Sequence, residues 1–229
     1  MADLLFGNDS GPRYRQLAER CRPRQWSEVV GQDKALAIIR RFIAAGGIAG
    51  RPWWITGASG TGKTTIARLL AAECADEFST EEVDAESLSA SRIAELERLS
   101  WMRTLGDKGG RAIIVNEAHG LKKPALRQLL VSLEGDRIAP HCVWIFTTTN
   151  DGQQMLIDDC EDSGPLLSRC TLLALARRDL SKPLAARIVE ICQREQLGAP
   201  TVDEAVKLLQ AHKNNMRAAL QSCEAGAFL

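Results

Sequence analysis

The run Gly57-Ala58-Ser59-Gly60-Thr61-Gly62-Lys63-Thr64 satisfies the pattern G-x-x-x-x-G-K-[ST] at every fixed position. Each fixed residue has a physical job. Glycines reach backbone angles closed to other residues, so successive N–H groups can point at one anion. A helix starting after them adds its positive end. The lysine reaches the outer phosphates of a nucleoside triphosphate, and the threonine hydroxyl ligates magnesium. The expected ligands are ATP and Mg²⁺, held by Gly57, Gly60, Thr61, Gly62, Lys63, Thr64 and Thr65. A second cluster is Ala112-Ile113-Ile114-Val115-Asn116-Glu117, an apolar run closing on polar residues. The usual form ends in Asp and then Glu, to set acid beside the metal. Glu117 is placed to polarise a water as general base. Asn116 offers an amide oxygen to a metal-bound water but lacks the charge, so metal affinity and turnover are expected to be lowered.

These residues need a scaffold that holds them on one edge. Trp53–Thr56, a segment around Val83, Ala112–Val115, Val143–Thr148 and Thr171–Leu175 read as strands. Helices are expected over Thr64–Phe78, Ser91–Thr104 and Pro124–Leu133. The alternation predicts an α/β domain with a mostly parallel sheet covered on both faces. After Arg178 the pattern becomes all-helical, with segments at Leu184–Glu195, Thr201–Ala211 and Met216–Ala225. Thr201 and Glu204 form a capping-box signature. The expected organisation is a loose tail over residues 1–12, a P-loop ATPase domain over 13–177 and a small helical lid over 178–229.

Composition excludes several classes. The 229 residues carry 29 basic and 29 acidic side chains, so no excess of positive charge argues for nucleic acid. Charge is uneven locally. Residues 76–97 hold eight acids and one base, whereas 98–127 hold seven bases and two acids. Solvated helix faces of opposite sign account for both runs as well as any function does. No apolar run is long enough for a membrane span, and the N-terminus lacks the basic start and apolar stretch of a signal peptide. Seven cysteines without a C-x-x-C pair argue against a disulfide framework and a zinc knuckle, and suit a reducing cytoplasm.

The order of motifs resembles the AAA+ ATPases of clamp loaders, in particular replication factor C small subunits and the bacterial gamma/tau subunit of DNA polymerase III. The resemblance runs from about Arg13 to Gly226. Glu19-Arg20-Cys21-Arg22-Pro23, followed by Val29-Val30-Gly31-Gln32, is similar to the family's opening segment, which implies that Val30 lines the adenine. Asn116-Glu117-Ala118-His119 is similar to its acidic block. Thr147-Thr148-Thr149-Asn150 closes a strand, with Asn150 at the sensor-1 position beside the γ-phosphate. Leu166-Leu167-Ser168-Arg169-Cys170 resembles the Ser-Arg-Cys box, which implies that Arg169 reaches into a neighbouring subunit's site. Asn214-Asn215-Met216-Arg217-Ala218-Ala219-Leu220 resembles the lid helix, with Arg217 as sensor 2. Two features depart from the family. Only Cys74 lies in the interval where the bacterial subunit carries its four-cysteine zinc module, so no zinc is expected. The chain also stops where a helical collar domain would begin.

The resemblance implies a homo- or hetero-oligomer built through AAA+ faces, with a sliding clamp and primer-template DNA as cargo. The collar is expected on a separate subunit, or assembly proceeds without one. The basic residues Arg98, Arg103, Lys108, Arg111, Lys122, Lys123 and Arg127 are candidates for tracking DNA phosphates. Two further readings stay open. One is an AAA+ ATPase that remodels branched DNA or protein–DNA complexes. The other is a poorly hydrolysing, ATP-bound subunit that lends Arg169 to an active partner.

Overall fold

The structure, a computed structural model, describes residues 16–176 and 180–228. The expected tail over 1–12 and the boundary near Arg178 lie outside them. The described residues form two compact units, 25–176 and 16–24 with 180–228.

The larger unit is built on five strands: β1 (Arg51–Thr56), β2 (Ala75–Asp84), β3 (Gly110–Asn116), β4 (Cys142–Thr148) and β5 (Thr171–Ala174). They lie in the order β2-β3-β4-β1-β5, and every pairing is parallel. Successive side chains alternate between two cores. Trp53, Ile55, Ala112, Ile114, Val143 and Ile145 enter one, while Trp54, Ile113, Val115, Trp144 and Phe146 enter the other. This is why the strands read as unbroken apolar runs. The first face is covered by α2 (Asp33–Ala44) and α3 (Lys63–Cys74), through Ala35, Ile39, Ile66 and Leu70. The second is covered by α4 (Ala90–Ser100), α5 (Lys123–Ser132), α6 (Asn150–Asp159) and α7 (Ser163–Arg169), through Ile93, Leu96, Leu126, Leu129, Leu156 and Leu166.

Two helices end earlier than the sequence suggests. Helix α3 stops at Cys74 and the chain turns directly into β2. The Ser79 and Thr80 hydroxyls both donate to the Asp76 carbonyl, at 3.0 and 3.1 Å. Such side-chain bonds offer the backbone an alternative to the helical ladder. Helix α4 stops at Ser100, whose hydroxyl donates back to the Glu97 carbonyl.

The second unit contains α1 (Leu17–Arg20), α8 (Ser181–Glu195), α9 (Val202–Ala211) and α10 (Met216–Glu224). Its membership differs from the sequence reading, which placed residues 13–24 with the sheet. The Leu17 N–H donates to the Glu224 carboxylate at 3.2 Å, and Arg20 pairs with Glu195 at 2.7 Å. Leu17 and Cys21 are buried here, so a four-residue helix is held by the C-terminal helices. Thr201 and Glu204 form the full capping box at the start of α9. Among the described residues no helix is long and apolar enough to cross a membrane.

Candidate nucleotide site

The loop after β1 is shaped as an anion cradle. Gly60 and Gly62 have φ of +78° and +97°, the region that favours glycine. Gly57 is required by crowding, since a Cβ there would sit 2.9 Å from Thr61 Oγ1 and 3.0 Å from Leu175 Cβ. Lys63 opens α3 and is only 8% exposed. Its ammonium donates to the carbonyls of Gly57 and Ala58, at 3.1 and 3.2 Å, so the charge is folded over the loop. Thr61 is buried and donates to the Ala58 carbonyl, while Thr64 and Thr65 lie in the first turn of α3. A concave backbone, a helix N-terminus and an inward lysine fit a chain of phosphates. The Thr64 hydroxyl would hold the metal, which would supply charge neutralisation at the outer phosphates.

Parallel pairing brings the other residues to the same edge. Thr56 is level with Thr148, and Asp84 with Asn116, so the loop after β1 and the ends of β3 and β4 share the carboxyl edge of the sheet. Ligands of open parallel sheets bind at that edge. The Thr56 hydroxyl donates to Asn150 Oδ1 at 2.8 Å, tying Asn150 to the strand that carries the loop. Asn150 does not close the strand, as its sequence context suggests. The strand ends at Thr148, Thr149 Oγ1 caps the Gly152 N–H at 3.0 Å, and Asn150 is the first residue of α6.

Glu117 follows β3 in a left-handed backbone conformation, φ 50° and ψ 50°. A non-glycine residue there is strained, which is a common mark of functional positions. Its carboxylate lies 3.5 Å from His119 Nδ1, and that nitrogen is 3.1 Å from Thr148 Oγ1. Gly152 makes room for this arrangement, because a Cβ on it would fall 2.6 Å from the His119 ring. Asn116 is bound on both sides, donating to Glu82 Oε1 at 2.6 Å and accepting from Thr147 Oγ1 at 2.9 Å.

Gln32 is a residue whose role the sequence does not reveal. It is 3% exposed and bonds the Thr61 carbonyl at 3.3 Å, the Ala176 carbonyl at 3.1 Å and the Ala176 N–H at 2.8 Å. The Gly-Gln dipeptide was its only signal. Glu82, Thr56 and Thr147 carried none, since their partners come from other strands. Val30 is half-buried, two residues beyond the turn at Trp26–Glu28.

Arg169 is the last residue of α7. Its guanidinium donates to the Pro165 carbonyl at 2.9 Å and lies 3.9 Å from Glu134. Burial pushes the neighbouring Cys170 thiol up to about 12, and its side chain packs against the second core. Arg217 belongs to the second unit, exposed in the first turn of α10, where Asn215 caps the Ala218 N–H at 3.2 Å. In the basic run Arg98 lies on α4, Arg111 on β3, and Lys123 and Arg127 on α5, so the run is spread over three elements. Several of the basic residues have partners within the chain. Arg111 donates to the Met102 carbonyl, Lys108 to the Ala72 carbonyl, and Arg127 pairs with Asp162.

The sequence matches the family described as "ATPase family associated with various cellular activities (AAA)" over residues 54–171, from β1 to the start of β5. The chain belongs to this AAA family. It is 27% identical over 206 residues to the DNA polymerase III subunit gamma of Buchnera aphidicola subsp. Baizongia pistaciae, covering 80% of this chain and 52% of that protein. It is 26% identical over 215 residues to replication factor C small subunit 1 of Pyrobaculum arsenaticum, covering 91% of this chain and 61% of that one. Its fold matches the Holliday junction branch migration motor RuvB of Thermotoga maritima with a TM-score of 0.69 at 21% identity, over 89% of this chain and 64% of that one. The chain thus spans about half to three-fifths of these curated relatives, and it is a clamp-loader-like AAA+ ATPase by similarity.

Proposed function

We propose that this chain is an ATP-hydrolysing subunit of a clamp-loader-like complex that acts in DNA replication. The observation that carries the reading is the gathering of the Gly57–Thr64 loop, Glu117 and Asn150 on one sheet edge, linked by the Thr56–Asn150 bond. Lys63, Thr64 and the loop amides hold the triphosphate. Glu117 orients the attacking water, and Asn150 binds the γ-phosphate or that water. Val30 lines the adenine. Arg169 serves the site of an adjacent subunit, and Arg217 couples the lid to the nucleotide. ATP held between subunits tightens an arc or ring, and hydrolysis loosens it.

The similarity to a polymerase III gamma subunit and a replication factor C small subunit supports a sliding clamp and primer-template DNA as partners. Exposed Phe78, Trp101, Met102 and Leu105 suit a protein cargo. The seven free thiols suit the cytoplasm. The test is ATP turnover by the purified chain with a sliding clamp and primed DNA from its host. Stimulation by the two together is the expected result. Stimulation by a four-way DNA junction instead would move the protein to branch migration. Absence of turnover with intact ATP binding would favour a subunit that only lends Arg169, the reading that Asn116 motivates.

A further inference from the structure

Asn116 looks in sequence like a carboxylate lost, but its surroundings point elsewhere. Its amide lies 2.6 Å from Glu82 Oε1, and Thr147 Oγ1 donates to its Oδ1 at 2.9 Å. A carboxylate only accepts, so the NH₂ of Asn116 must face Glu82 and the oxygen must face Thr147. Glu82 is held in turn by Arg68, whose Nε donates to Oε2 at 2.9 Å. Arg68 stands one helical turn beyond Thr64 on the same face of α3. The chain Arg68–Glu82–Asn116–Thr147 therefore joins α3, β2, β3 and β4, and it starts one turn from the threonine that the reading above gives to the metal.

We propose that Glu82 is the carboxylate of the metal side of this site, displaced onto the neighbouring strand, and that Asn116 relays it. A negative charge against the amide NH₂ polarises the group and strengthens Oδ1 as an acceptor, by about 10–30% per bond in a hydrogen-bonded chain. Oδ1 has two lone pairs, so accepting from Thr147 leaves one for a metal-bound water. Glu82 is thus a positioning residue, and Asn116 is matched to it. An aspartate at 116 would set two carboxylates within hydrogen-bond distance, which neither tolerates. The inference takes its ligand from the ATP·Mg²⁺ reading above, whereas the pairing of the two side chains stands without it.

A double-mutant cycle tests the pair, using the wild type, Glu82→Gln, Asn116→Asp and both together. Two quantities are read: the melting temperature without nucleotide, and the Mg²⁺ concentration that half-saturates binding of a non-hydrolysable ATP analogue. Asn116→Asp should lower the melting temperature by about 3 °C or more and should not reduce the Mg²⁺ requirement. Glu82→Gln should raise that requirement about tenfold, as the loss of an outer partner does at metal sites. The double variant restores one carboxylate and one amide, and should return both readings most of the way to wild type. If Asn116→Asp alone does not fold, rescue by Glu82→Gln supports the pair, and failure of the double variant overturns it. Wild-type melting with a lower Mg²⁺ requirement in Asn116→Asp would also overturn it. So would a double variant whose deficits are the sum of the singles. Were no variant to bind the analogue, the nucleotide reading would fall, while the melting cycle would still decide the pairing.

Discussion

The phosphate loop and the end of β3 face each other across one sheet edge, yet they are made differently. The loop is nearly self-contained. Lys63 bonds Gly57 and Ala58, Thr61 bonds Ala58, and the left-handed glycines are its own. The end of β3 borrows its chemistry. Asn116 depends on Glu82 and Thr147, and Glu117 is positioned with His119, Thr148 and the space that Gly152 leaves. A site written into eight consecutive residues travels as a motif. A site assembled from three strands can exchange a carboxylate for an amide while a neighbour compensates.

The contrast can be broken first at hydrolysis. Arg169→Ala should lower turnover by about three orders of magnitude with ATP affinity nearly intact, and Glu117→Gln should also bind without turning over. The first fault lies in the neighbour's site and the second in its own, so mixing the two inactive proteins should restore part of the activity. A mixture that co-assembles and stays inactive would remove the in-trans role of Arg169. Next comes binding. Lys63→Ala should weaken ATP by about 2–3 kcal/mol, roughly 30- to 150-fold, measured by calorimetry. Affinity unchanged in that variant would end the phosphate-loop reading.

Two smaller effects sharpen the difference between the regions. Gly152→Ala forces a Cβ against His119 and Thr149, at 2.6 and 2.8 Å. It should cost about 1–3 kcal/mol of stability and reduce turnover more than ATP affinity, since the clash falls on the Glu117 side. An equal loss of both would mean that the loop is not independent of the strand end. Thr147→Val removes one bond to Asn116, and should cost about 1 kcal/mol in denaturant unfolding. A neutral result would mean that Asn116 is held by Glu82 alone.

The sequence reveals the loop completely and the sheet nearly so, because β1, β3 and β4 are buried on both faces and cannot hide their apolar runs. β2 is harder to see. Its first half is interrupted by Asp76, Ser79 and Thr80, which bond among themselves, and its acids read as a solvated face although Glu82 serves Asn116. Helix α6 escapes notice because it opens at Asn150 and carries Gly152, and Met155 and Ile157 are exposed on either side of Leu156, its one buried apolar side chain. Four residues of α1 are too few for any periodic signal. Their place in the second unit is fixed by partners such as Glu195 and Glu224, far along the chain.

The position of β1 also sets an order of events during synthesis. It is the first of the described strands to be made, yet both its neighbours come late, for Trp53 pairs with Ile145 on one side and Thr171 on the other. Closing such long loops is slow, and contacts between distant segments delay folding. Leu175, which crowds Gly57 from behind, is translated later still. On the ribosome the phosphate loop therefore waits, its strand unpaired, until the chain has grown past Leu175. Nucleotide capture is then a late step of maturation. Until that moment Trp53-Trp54-Ile55 is a β-prone apolar segment with neither edge covered, the kind of surface that aggregates when left exposed.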